Sequence, residues 1–169
     1  MIESPHNPQI RAAVALHKRS ERDRTGQFLI EGRSEIRRAI AAGISVETLF
    51  STPGIDVSDL AGVGRVLEIG EAAFQRLAYG RDGLVAVASV PSFGLHRLRL
   101  SAPALVLVVT SIEKPGNLGA MLRSADATGA AVIIADPLTD LVNPNVVRAS
   151  LGTLFTVPVA TTTTPVVIA

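Results

Sequence analysis

Strand signals and helix signals alternate along the whole chain, and this predicts an α/β protein built from two domains. Three observations carry the prediction. Short runs rich in Val, Ile and Leu alternate with segments of helical period. Charge is unevenly placed: residues 1–103 hold 13 Lys+Arg and 11 Asp+Glu, residues 104–169 only 3 and 4. Between them Pro91-Ser92-Phe93-Gly94, followed by His96, Arg97, Arg99 and Pro103, has the composition of a connector. The expected domains are residues 1–97 and 98–169.

Asn7-Pro8 fits a helix start, with Asn as cap and Pro at the first helical position. Ile10, Val14 and His17 then share one face, with Ala13 and Leu16 beside it. Phe28-Leu29-Ile30 reads as a short strand ended by Glu31-Gly32. Ser34 to Ala42 reads as a helix with Ile36 and Ile40 inward, closed by Gly43. Val46–Phe50 and Arg65–Ile69 are further strands, and Glu71–Leu77 a helix. Leu84–Val90 has the apolar density of a buried strand stopped by Pro91.

In the second part Leu105–Val109 is a continuous aliphatic run, as expected of a strand covered on both faces. Ser111–Gly116 reads as a loop. Asn117 to Thr128 reads as a helix with Leu118, Met121, Leu122 and Ala125 as its stripe and Gly129 as its stop. Val132–Ala135 is the next strand, close enough for one crossover in a parallel sheet. Pro144–Leu151 is expected as a helix and Leu154–Val159 as a strand. Thr161–Thr164 has no assignable role, and Pro165–Ala169 opens an apolar segment.

Composition excludes several classes. The chain has 169 residues, 47% apolar and 18% charged, with net charge +1. That rules out disorder and a polybasic protein that binds through bulk charge. Zero Cys excludes a disulfide scaffold, a Cys zinc site and a thiol nucleophile. His6, His17 and His96 are scattered, so no metal site is expected. The first twenty residues lack a signal-peptide apolar region, and no apolar run approaches the ~20 residues needed to span a bilayer. A soluble, cytoplasmic protein without a membrane partner is expected. Gly62-Val63-Gly64 lacks the third glycine of a dinucleotide fingerprint, and neither a Gly-x-Ser-x-Gly turn nor a phosphate loop occurs.

The stretch Glu113-Lys114-Pro115-Gly116-Asn117-Leu118-Gly119-Ala120-Met121-Leu122-Arg123-Ser124-Ala125-Asp126-Ala127-Thr128-Gly129 follows the carboxyl end of an expected strand, where ligands sit in open α/β sheets. Gly116 permits a tight turn, Asn117 can cap the helix, and Gly119 lets a backbone or ligand approach its first turn. Arg123 beside a helix N-terminus makes a phosphate-binding corner. Taken singly, each residue also has a plain structural use: Asn117 as an ordinary cap, Gly119 for close packing, Arg123 paired with Asp126.

The spacing Gly-Asn-x-Gly-Ala-x-x-Arg-Ser-Ala-Asp-Ala-x-Gly resembles the first signature motif of the SpoU/TrmH class of RNA ribose 2′-O-methyltransferases, within the SPOUT superfamily. The resemblance continues at Asn143-Pro144-Asn145-Val146-Val147-Arg148-Ala149-Ser150-Leu151-Gly152 and the Pro158-Val159 strand end. Asn7-Pro8 and Phe28-Leu29-Ile30-Glu31-Gly32 are similar to the ribosomal-protein-like α/β substrate-binding domain of many members. The resemblance thus implies that domain followed by an α/β-knot domain with a mainly parallel sheet. A Gly-x-Glu loop and a Ser-x-Asn segment should follow the Pro-Val strand. Neither occurs before Ala169, so the knot domain is expected to be incomplete, truncated at the C-terminus, and the cofactor-binding residues are unassigned.

The resemblance further implies S-adenosylmethionine as donor, a ribose 2′-hydroxyl of RNA, ribosomal RNA above all, as acceptor, and a homodimer. Arg123 matches the family's catalytic arginine and Asn117 its motif asparagine. A guanidinium, which keeps its proton in proteins, is better suited to holding phosphate and hydroxyl than to taking a proton. Asn117 would cap the helix and position Arg123 or substrate. Arg11, Lys18, Arg19, Arg22, Arg24 and Arg33 form the expected RNA surface of the first part, against a solvated helix end as the plain alternative. Arg148 meets phosphate or a partner subunit, or serves structure. The rival function is a non-catalytic RNA-binding relative without the methyl-donor pocket.

Overall fold

The structure is a computed structural model that describes residues 1–80, 82–100 and 102–167. Ile168 and Ala169, the end of the apolar segment noted above, lie outside the described residues. The chain divides into two compact units, Met1–Val90 and Pro91–Ala169. The division falls before the connector, not after Arg97. Residues 91–97 join the second unit because the Thr161 N–H donates to Phe93 O at 2.7 Å and Gly94 bridges to Thr161.

In the first unit helix α1 (Pro8–Ala15) begins as the sequence dictates: Asn7 Oδ1 accepts from the Gln9 N–H at 2.8 Å, and Pro8 takes the first turn. Its inward stripe is Ile10 and Ala13, continued by Leu16. The charged stretch beyond it is a helix of its own, α2 (Arg19–Thr25). Strand β1 (Gln27–Glu31), helix α3 (Arg33–Ala41), strands β2 (Val46–Ser51) and β3 (Arg65–Glu68), helix α4 (Glu71–Leu77) and strand β4 (Leu84–Ser89) follow. The sheet order is β1-β4-β2-β3. Strand β4 runs antiparallel to both β1 and β2, and β2 is parallel to β3. Ile10, Leu16, Leu29, Phe50, Ile69, Phe74 and Leu77 share one core between the sheet and the helices. Each such side chain contributes roughly 1.5–3 kcal/mol by leaving water.

The second unit opens with a 3-10 turn (Leu95–Arg97). Strand β5 (Val106–Thr110), helix α5 (Pro115–Thr128), strand β6 (Ala131–Ala135), helix α6 (Pro144–Ser150), a 3-10 turn (Thr153–Phe155), strand β7 (Val159–Thr162) and the short helix α7 (Thr164–Val167) follow. The sheet is β5-β6-β7, parallel throughout, with Val106 opposite Ala131 and Val132 opposite Val159. Two expectations fail here. Strand β5 is an outer strand of this sheet, not one covered on both faces: Leu107 is 37% exposed and Val108 44%, and only Val109 is buried. The segment after α6 is not a strand from Leu154. Gly152 turns the chain in the left-handed region at φ 81°, Thr153–Phe155 forms a turn, and extended structure begins only after Pro158. The threonine run acquires a role: Thr161 and Thr162 lie in β7, and Thr164 binds Asp136. No helix among the described residues is long and apolar enough to cross a membrane.

Candidate functional site

The signature stretch folds around α5. This helix starts two residues earlier than expected, because Pro115, with its fixed φ, takes the first helical position behind Lys114. Gly116 is therefore helical and makes no tight turn. Asn117 is not the cap; it is the third helical residue, exposed, its N–H donating to Lys114 O at 3.1 Å. Leu118, Leu122 and Ala125 are buried as the stripe predicts, and Gly129 ends the helix at φ 68°.

Gly119 faces α6. A Cβ added there would lie 2.5 Å from Ala149 Cβ and 2.6 Å from its carbonyl carbon. Real Cβ atoms do not approach backbone that closely, so only glycine permits this crossing. The same crossing sets Arg123, one turn further along the same row of α5. Its exposed guanidinium donates through Nη1 to the Ala149 carbonyl oxygen. Among the described residues it faces no carboxylate. Asp126, the alternative partner, instead accepts from Thr156 Oγ1 at 2.7 Å. Asn117 and Arg123 are not brought together: six residues separate them by about 120° around the helix and about 9 Å along it.

Helix α6 starts at Pro144 as expected, and the structure adds a cap: Asn143 Oδ1 accepts from the Asn145 N–H at 2.9 Å. Arg148, exposed on α6, donates through Nη2 to Asn145 Oδ1 at 3.0 Å. At the carboxyl end of β6, Asp136 takes φ 49° and its Oδ2 accepts from the Thr164 hydroxyl at 2.5 Å and N–H at 3.1 Å. These two donors, the hydroxyl first, hold its carboxyl below the ordinary 3.8. Ser111, the residue after β5, also has positive φ (50°). Asp136 and Thr164 were invisible to motif reading; the Asp-Pro pair after a strand was their only signal.

The cations of the first unit fare differently from one another. Arg22 corrects the expected RNA surface. It is 3% exposed, and its Nη1 donates to the Leu16 and His17 carbonyls at 2.8 and 2.9 Å, closing the end of α1. A guanidinium buried in this way faces protein and not solvent, so it cannot meet RNA at the surface. Arg24 is exposed but forked on Glu21, at 3.1 and 2.7 Å. Arg19 lies 3.7 Å from Asp23. Arg33 pairs with Asp59 and donates to Asp56 O. The Ser58 N–H and then its hydroxyl hold the Asp56 carboxyl low, with Arg33 adding to the effect. Arg11 and Lys18 are exposed, with no ion pair among the described residues.

Two family matches cover most of the chain: residues 7–83 match the MRM3-like substrate binding domain, and residues 104–168 match the SpoU rRNA Methylase family. The chain therefore belongs to the SpoU rRNA methylase family. It is similar to the 23S rRNA (guanosine(2553)-2'-O)-methyltransferase RlmP of Bacillus subtilis (strain 168), at 32% identity over 162 residues, covering 94% of this chain and 63% of that protein. Among solved structures it resembles an RNA 2'-O ribose methyltransferase with TM-score 0.85 and 40% identity, over 99% of this chain and 67% of that one. An AdoMet-bound rRNA methyltransferase from Sinorhizobium meliloti aligns at TM-score 0.87 and 27% identity, over 99% and 66%. The chain thus spans about two thirds of the length of these proteins.

Proposed function

We propose that the protein is an RNA ribose 2′-O-methyltransferase acting on ribosomal RNA with S-adenosylmethionine as donor. The observation that carries this reading is the Arg123 guanidinium: exposed, charged and fixed by one N–H on Ala149 O beside the glycine crossing. Its remaining N–H groups would hold the substrate phosphate and 2′-oxygen in line for attack. The donor, when bound, would supply an electrophilic methyl group to the 2′-oxygen and leave as a neutral thioether, and the hydroxyl proton would pass to a base. Arg123 is not that base, since a guanidinium keeps its proton in proteins. Asn117, a turn or more away on another face, would touch RNA directly and does not steer Arg123.

The donor would sit at the carboxyl ends of the strands, as ligands do in open α/β sheets. The residues there fit it: Asp136 Oδ1 has no protein donor among the described residues and would accept from a ribose hydroxyl. The exposed cations Arg11 and Lys18 support phosphate contact; Arg148, exposed but bonded to Asn145, would add to it, with Arg19, Arg24 and Arg33 contributing only as their carboxylates release them. A cytoplasmic homodimer belongs to the same reading; the exposed aliphatic side chains Leu105, Leu107 and Val108, on the two faces of the β5 segment, support a further apolar cover, and sedimentation of the chain tests it.

The test is transfer of labelled methyl to ribosomal RNA by the wild-type protein and by Arg123→Ala. The expected loss is about 100-fold in kcat/KM with RNA binding nearly retained. Full activity of the variant removes Arg123 from the mechanism. RNA binding by a wild-type protein that transfers no methyl group would favour the non-catalytic relative.

A further inference from the structure

A cavity of about 480 Å³ in the first unit is lined by none of the cations named above. Small-ligand clefts run from about 300 to about 1,000 Å³, so this volume suffices for a planar ring. Phe74 and Ala78 give it apolar surface, Thr52, Glu71 and Gln75 bring polar groups, and Tyr79 lines it while remaining 62% exposed.

An aromatic ring left that exposed would ordinarily be mobile, yet this one is held on two sides. The Tyr79 and Gly80 N–H groups both donate to Glu31 Oε2 at 3.0 Å, pinning the turn after α4. The ring meets His17 edge to face, centroids 5.1 Å apart at 71°, and His17 Nε2 in turn donates to Leu77 O at 3.0 Å. A ring fixed in advance loses little freedom when something stacks on it.

The polar groups select what stacks. Glu71 Oε1 accepts from Gln75 Nε2 at 3.0 Å, while Oε2 has no protein donor among the described residues. Among the described residues that line the cavity the charged group is this carboxylate, and it calls for neighbouring N–H donors. Guanine presents such a pair, N1–H and the 2-amino group, on one edge of a flat ring; uracil offers one N–H between two carbonyls. Single-stranded RNA is read by this combination of aromatic stacking and edge hydrogen bonds.

We propose that this cavity takes one unstacked base of the RNA substrate, guanine before the others, stacked on Tyr79 and hydrogen-bonded to the Glu71 carboxylate. This deepens the function proposed above and rests on its RNA partner. The proposed transfer is to a ribose hydroxyl, so the base itself is read and not methylated.

Tyr79 is the protein's single tyrosine and there is no tryptophan, so its fluorescence reports this cavity alone. The chain is titrated with the octaribonucleotides UUUGUUUU and UUUUUUUU, with absorbance correction, while binding of a ribosomal RNA transcript is followed in parallel by filter retention. Saturable quenching is expected, with the guanine oligomer bound about tenfold more tightly than the uridine one. Glu71→Gln should abolish that preference with the circular dichroism spectrum unchanged. Tyr79→Ala should weaken transcript binding about tenfold, and Tyr79→Phe should keep it. Quenching no stronger than that of free N-acetyltyrosinamide, with the transcript still retained, overturns the cavity and leaves the RNA reading standing. Failure to retain any transcript overturns both.

Discussion

Arg24 and Arg33 in the first unit and Arg123 in the second are all arginines at a surface, and they are not equivalent. Arg24 is forked on Glu21 and Arg33 is set against Asp59, so each positive charge is largely cancelled within a few ångströms. Arg123 rests on a carbonyl oxygen, a neutral acceptor that fixes the group and leaves its charge intact. The field a phosphate meets follows from what each cation faces and not from how many cations a segment holds. The denser basic stretch is therefore the weaker candidate for anion binding, and the Arg123 guanidinium of the second unit the stronger one.

Gly119→Ala should have the largest effect. The new methyl group must push α6 away, which costs roughly 1–3 kcal/mol of overpacking and carries off the carbonyl that holds Arg123. Thermal unfolding should show the destabilisation, and methyl transfer should fall by about 100-fold even below the new melting temperature. A variant as active as wild type would break the link between the crossing and the guanidinium.

Arg22→Met and Arg24→Met come next as a pair. The first leaves the Leu16 and His17 carbonyls without their buried donor and should cost about 2 kcal/mol in urea unfolding, with RNA affinity unchanged. The second should cost under about 0.5 kcal/mol. Equal costs would show that burial does not separate the two arginines.

The smallest effect is a pH response at Asp136. Its folded-state carboxyl lies below 3.8 because Thr164 donates to it, so its contribution to stability is present above about pH 4 and lost as pH falls through the folded value. Thr164→Val removes the hydroxyl donor and should move the Asp136 titration, followed by carboxyl NMR, up toward the ordinary value. A titration that stays where it was would mean that the hydroxyl bond is not what holds this carboxyl low.

Much of the architecture was legible in the chain. Glu71–Leu77 is a helix over the residues expected, Asn7 caps α1 through its side chain, Pro144 opens α6, and Gly129 closes α5. These features rest on local physics: a side-chain oxygen near free N–H groups, and a glycine free to turn left. Asn117 misled because a cap was assigned by residue type while Pro115, two places earlier, had the stronger claim on the helix start. Leu105–Val109 misled because aliphatic density states what a strand can bury and not what is there to cover it. Arg22 misled because a charge in a charged run looks solvated unless the fold directs it inward.

By itself the sequence determined the alternation of strands and helices, the caps and stops, the apolar stripes and the glycine at position 119, since each depends on residues within a few positions along the chain. Only the tertiary structure decided that Gly119 meets Ala149, that Arg123 lands on a carbonyl while Arg33 lands on a carboxylate, and that Tyr79 and Glu71 line one cavity. Those outcomes join residues distant in the chain, and such neighbours are chosen by how whole elements pack, which no local pattern encodes.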